Sequence, residues 1–108
     1  MEQTRIEFLE ESLRSDPNST FVRYALALEF VKAGRGEEAW RHFEHLLTHH
    51  PDYSAAYYQA GKLLVRSGRH EDARRVLAKG IEVTAKQGNL HARSELEGAL
   101  EELRSHEH

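Results

Sequence analysis

The chain has no cysteine, which excludes disulfide staples, zinc–thiolate sites and thiol nucleophiles. That absence suits a reducing compartment. No apolar run approaches the roughly 20 residues needed to cross a bilayer. The opening stretch, Met1-Glu2-Gln3-Thr4-Arg5, is polar and lacks the apolar core of a signal peptide. Cytoplasm is therefore the default expectation, with no membrane partner. Nor is there an excess of positive charge: formal net charge is -3, so bulk electrostatics give no reason to expect a nucleic-acid partner. No segment alternates apolar and polar residues like a strand, and none is rich in β-branched residues, which leaves an all-α fold. A length of 108 residues, 39% hydrophobic and 31% charged, fits one helical domain with a well-hydrated exterior.

Proline occurs only twice, and Pro17 and Pro51 stand 34 residues apart. The same offset pairs Tyr24 with Tyr58, Val31 with Val65, Gly34 with Gly68 and Arg35 with Arg69. It also pairs Glu37 with Glu71, Ala39 with Ala73 and Arg41 with Arg75. A fixed period of this length is the signature of stacked helical repeats, which usually offer a surface rather than carry out a reaction.

Helical spacing and breakers divide the chain into about six helices. Ile6, Leu9 and Leu13 mark a first helix over about 4–14, stopped by Asp16-Pro17. Asn18, Ser19 or Thr20 caps a second that runs to Ala33, before the Gly34-Arg35-Gly36 turn. The third covers Glu37 to about Thr48; the fourth is capped by Ser54 and ends at Gly68. Helix five runs from His70 to about Lys86, and Gln87-Gly88-Asn89 starts a sixth with Leu96, Leu100 and Leu103 on one stripe. That helix is expected to fray in Ser105-His106-Glu107-His108. Leu9, Phe43 and Leu77 form one series at the 34-residue offset, and Leu13, Leu47 and Ile81 another. Helix one is thus equivalent to the second half of a repeat. The expected single domain divides into an N-terminal capping helix (1–16), repeat one (17–50), repeat two (51–87), and a C-terminal capping helix with its tail (88–108).

These residues resemble the tetratricopeptide repeat. Thr20 and Ser54 open the two repeats, Ala27 and Gly61 take the small position of the first helix, and Phe30 and Leu64 the large one. Ala39 and Ala73 match the small residue of the second helix, Phe43 and Leu77 the large site after it, and Gly34 and Gly68 the turn. Departures are Arg23 and Tyr57, where the family prefers tryptophan, and Leu46 and Gly80, where it prefers alanine. Glu95 and Gly98 fall at the third small and aromatic positions, so helix six resembles a cap more than a third repeat. The resemblance implies antiparallel hairpins stacked as a short right-handed superhelix.

It also implies a concave groove that binds a partner segment. By position, repeat one presents Phe21, Tyr24, Ala25, Leu28, Val31 and Lys32 to it. Repeat two presents Ala55, Tyr58, Gln59, Lys62, Val65 and Arg66, and helix six adds Asn89, Ala92 and Arg93. The equivalent tyrosines Tyr24 and Tyr58 offer large contact area with a polar tip. Lys32, Lys62, Arg66 and Arg93 make the expected face cationic, which fits a protein or peptide partner with apolar anchors and acidic groups. Some family members clamp a terminal carboxylate with lysine and asparagine; Tyr24 and Leu28 stand at the corresponding sites here, so that clamp is not expected.

His42, His45 and His49 fall three and four apart on helix three. Two histidines at that spacing can share a zinc or nickel ion, yet a solvated, partly protonatable outer face accounts for them without one. No metal or cofactor site is therefore expected. The glycines form neither a GxGxxG nor a phosphate loop, and the serines lack a nucleophile elbow. Acidic pairs such as Glu37-Glu38 and Glu71-Asp72 lie near helix starts, where the helix dipole favours them. The expectation is a non-catalytic interaction module or scaffold. Self-association through helix six or the edge of helix one is the second reading, and metal binding by the helix-three histidines a minor third.

Overall fold

The computed structural model describes residues 4–106. Six α-helices follow one another: α1 Arg5–Ser15, α2 Thr20–Lys32, α3 Gly36–His49, α4 Ala55–Arg66, α5 His70–Gln87 and α6 Leu90–Ser105. Among the described residues there is no strand. The expected helix ends agree with these to within a residue or two. Met1-Glu2-Gln3 and the Glu107-His108 end of the expected frayed tail lie outside the described residues. The helices gather into two compact units, α1–α3 up to His50 and α4–α6 from Pro51 onward.

In the first unit α2 packs against both α1 and α3. A capping box starts α1: the Thr4 hydroxyl accepts from the Glu7 amide at 3.1 Å, and the Glu7 carboxylate accepts from the Thr4 amide at 3.2 Å. Asp16, non-helical at φ -140° and ψ 83°, ends that helix because the residue before a proline is pushed out of the helical region. Of the three expected caps for α2, Ser19 is the one used, accepting from the Val22 amide at 3.2 Å. Leu9, Leu26, Ala27, Phe30, Ala39, Phe43 and Leu46 form the buried apolar set. Ala27 and Ala39 are fully buried, as the small positions on facing helices require for close approach. Trp40 of α3 is half-buried.

In the second unit α5 packs against α4 and α6, and α4 also reaches α6. Two helix-interior glycines make this approach possible. A Cβ at Gly61 would lie 2.4 Å from Leu77 Cδ2, and one at Gly80 would lie 2.6 Å from Tyr57 Cβ. Gly80 therefore departs from alanine because Tyr57, only 2% exposed, fills the space. Thr84, the one buried polar residue among those described, donates its hydroxyl to the Gly80 carbonyl at 2.8 Å.

Equivalent ends are built alike in the two units. Gly34 and Gly68 sit at φ 74° and 77°. The Gly34 amide donates to Val31 O at 3.1 Å and the Arg35 amide to Phe30 O at 2.9 Å, with Gly68–Val65 at 3.1 Å and Arg69–Leu64 at 2.9 Å. This pair of bonds at a left-handed glycine closes the free carbonyls of a helix end. Past each glycine, Arg35 Nε donates to Glu38 at 2.9 Å and Arg69 Nε to Asp72 at 3.0 Å, across the starts of α3 and α5, which have no side-chain cap. Arg23 and Tyr57, the departures from tryptophan, also do one job with different chemistry. Arg23 Nη2 donates to Pro17 O at 3.1 Å, and the Tyr57 hydroxyl donates to Pro51 O at 2.7 Å. Each ties the body of a helix to the turn before it.

One expected cap is corrected. Ser54 occupies the position before α4, but its side chain makes no capping bond. Its own backbone is already helical, at φ -59° and ψ -34°, whereas a capping side chain reaches back from a residue with non-helical backbone. Instead the first turn tightens, with the Ala56 and Tyr57 amides donating to Tyr53 O and Ser54 O, each at 3.2 Å.

Gly80→Ala should destabilise the protein by about 1–3 kcal/mol, the range for forcing a methyl group into a filled core. Urea denaturation followed by circular dichroism measures it; an unchanged midpoint would remove the Tyr57–Gly80 contact as a constraint.

Candidate functional site

The second unit contains a cleft of about 590 Å³ between α4 and α6. The α4 wall is made by Tyr58, Lys62, Val65 and Arg66, and Gly61 and Leu77 line the base between the helices. The α6 wall presents Glu95, Gly98, Ala99, Glu102 and His106. These α6 residues recur at three- and four-residue steps beside the buried stripe Leu96, Leu100 and Leu103, so one helix face points into the core and its neighbour into the cleft. Short connections reverse the chain at each turn, which makes α4 and α6 run in the same direction.

Lys62 places Nζ 4.9 Å from the centroid of the Tyr58 ring, a cation–π contact that orients both side chains. No carboxylate pairs with Lys62 or Arg66 among the described residues. Glu95 approaches only His91, at 3.8 Å, and Glu102 forms no ion pair among the described residues. The expected cationic face is thus basic on the α4 wall and acidic on the α6 wall.

The other residues expected at a groove are distributed differently. Gln59 is half-buried but does not line the cleft. Arg93 pairs with Glu97 at 3.3 Å on the surface of α6, and Asn89 caps that helix, accepting from the Ala92 amide at 3.2 Å. In the first unit, Tyr24 is half-buried with its ring edge-on to Phe43, centroids 6.3 Å apart. Leu28 is half-buried, Lys32 approaches Glu29 at 3.7 Å, and Phe21 is 72% exposed. Sequence reasoning missed the α6 wall. The signal was there in the spacing of Glu95, Gly98, Glu102 and His106, but Glu95 and Gly98 match the small and aromatic positions of a repeat, and the resemblance assigns only Asn89, Ala92 and Arg93 of this helix to a groove.

The helix-three histidines do not share one solvated face. His42 is half-buried and stacks on Phe30, centroids 5.7 Å apart and planes 6° from parallel. The Arg35 guanidinium lies 4.7 Å from the Phe30 centroid, and Arg23 Nη1 lies 3.3 Å from His42 Nδ1. Arginine has no acceptor, so it donates, and His42 Nδ1 accepts in the neutral ring with the proton on Nε2. Packing from α2 created this environment, and the spacing along α3 alone could not show it. His45 and His49 do approach each other, with centroids 4.4 Å apart. Among the described residues no group of three or more histidine, aspartate or glutamate side chains is gathered as for a metal ion. No helix there is long and apolar enough to cross a membrane.

Comparison with known proteins places this geometry. The tetratricopeptide repeat family pattern matches residues 30–94. A TPR repeat-containing protein of Pseudomonas aeruginosa is 29% identical over 98 residues, covering 91% of this chain and 93% of the relative. The solution structure of a tetratricopeptide repeat domain protein from Salinibacter ruber superposes with a TM-score of 0.82 at 41% identity, covering 86% of this chain and 94% of that one. A Bordetella parapertussis protein of known solution structure gives a TM-score of 0.83 at 25% identity, over 97% of this chain and 91% of that one.

Burial lowers the affinity of His42 for a proton, the neighbouring Arg23 and His45 lower it further, and Glu38 opposes them. The unfolded chain therefore takes up this proton first, so His42 contributes stability above the ordinary histidine range of about 6.5. The contribution declines as pH falls through that range, until His42 charges in the fold as well. The thermal midpoint of the wild type should fall more steeply between about pH 7.5 and pH 5 than that of His42→Gln. His45, shifted the same way by burial and by Arg23, leaves a smaller slope in the variant. Parallel profiles would sink the assignment.

Proposed function

The chain belongs to the tetratricopeptide repeat family, and from that premise we propose that it is a non-catalytic interaction module whose α4–α6 cleft receives a segment of a partner protein. The family generally mediates protein–protein interactions and is generally non-catalytic. The observation that carries the reading is the cleft itself: Tyr58 supplies an aromatic anchor, and Lys62 and Arg66 stand on its wall with no carboxylate partner among the described residues. Such groups gain most when a partner desolvates them, because their attraction is weak in water and strong once water is excluded.

Self-association has a specific observation in its favour, since Phe8 of α1 is 54% exposed. Against it, the side of α6 turned away from the cleft carries the exposed Glu97 and Glu101, and like charges brought together repel.

Lys62→Glu/Arg66→Glu should abolish capture of the partner from a native extract while changing stability by about 1 kcal/mol or less, since only a cation–π contact and a helix-end charge are lost. Retained capture would remove the cleft from the function. Sedimentation equilibrium should give a monomer mass even at high concentration; a concentration-dependent mass would favour self-association.

A further inference from the structure

The two walls of the cleft carry opposite charge, and we infer that its occupant is an amphipathic helix of the partner with one acidic flank and one basic flank. This rests on the reading that the cleft receives a partner segment. Three independent observations lead to it.

The first is electrostatic. Lys62 and Arg66 stand on the α4 wall, while Glu95 and Glu102 stand on the α6 wall. A segment carrying only negative charge gains from the first pair and is repelled by the second. One with carboxylates on the α4 side and ammonium or guanidinium groups on the α6 side satisfies both. The asymmetry also fixes direction, because reversing a helix in the cleft exchanges its flanks. Charge placed this way sets register and orientation in an interface.

The second concerns backbone hydrogen bonds. An extended segment brings an unpaired N–H and C=O with each residue, and these need partners once buried. Apart from its four charged groups, the cleft offers only Tyr58, Ser94 and His106 as polar side chains, with no asparagine or glutamine, too few to pair every backbone group of an extended segment. A helix satisfies its own backbone and asks nothing of the walls except shape and charge.

The third is Gly98. It lies inside α6, is exposed, and has no positive φ. A Cβ added there would meet nothing within 4 Å. Gly61 and Gly80 are bare because Leu77 and Tyr57 occupy the space; Gly98 has no such reason inside the molecule. A glycine within a helix weakens it relative to alanine. Its use here is to let a second helix come close, as small residues do where helices pack at short interaxial distance.

Four synthetic peptides test this on the full chain, with a Leu/Ala stripe and equal length. In one, Glu fills one flank and Lys the other; a second interleaves the same residues; a third has Glu on both flanks; a fourth repeats the first with a central proline. Binding is followed by amide NMR, with Gly98 as the reporter. The segregated helix should bind about tenfold more tightly than the other three, a difference of one well-placed charge pair, and should shift the Gly98 amide. Gly98→Ala should raise the thermal midpoint yet weaken that peptide several-fold. If the all-acidic or proline-broken peptide binds as tightly, the two-flanked helix is overturned and the cleft survives as a partner site. If no peptide perturbs the cleft, both readings fall.

Discussion

In each unit two helices approach closely where a glycine or alanine stands at the contact. Leu77 lies where a Cβ on Gly61 would be, and Tyr57 lies where a Cβ on Gly80 would be. Ala27 and Ala39 play the same part in the first unit, both wholly buried. This exchange of volume is strict because protein interiors are packed to near-crystalline density and tolerate neither voids nor overlaps. The consequences reach the surface. Seating α4 and α6 on α5 in this way leaves Lys62 and Arg66 facing Glu95 and Glu102, so the cleft's charge pattern follows from the packing beneath it.

The turns do comparable work along the chain. A left-handed glycine closes each of α2 and α4, an arginine just beyond it reaches the acidic residue three positions on, and each proline's carbonyl is held from six residues downstream. That Arg23 and Tyr57 hold the same carbonyl by different groups shows what the position requires. It needs a long side chain with a donor at its tip; tryptophan, arginine and tyrosine all meet that description.

Much of this could be read from the residues in order. The 34-residue offset located the helices to within a residue or two, because proline and glycine act on the backbone locally and wherever they occur. It found the small positions as well, since the period carries them from one helix pair to the next. What it could not supply was the identity of the neighbour. His42 reads as exposed along α3 alone; Phe30 and Arg23 of α2 make it half-buried and harder to protonate. Ser54 reads as a cap by type, but capping depends on a backbone angle that its type does not determine. The α6 wall escaped because the repeat pattern fades past about residue 86, where Glu95 and Gly98 stand at positions that elsewhere hold small and large apolar groups.

Trp40, half-buried on α3, is the only indole in the chain, whereas three of the four tyrosines, Tyr53, Tyr57 and Tyr58, belong to the second unit. The intrinsic chromophores are therefore divided between the units. Indole emission follows the environment of α1–α3, phenol absorbance is weighted toward α4–α6, and the peptide circular dichroism averages over all six helices. The molecule carries its own two-channel readout of whether its halves melt as a single cooperative body or in succession.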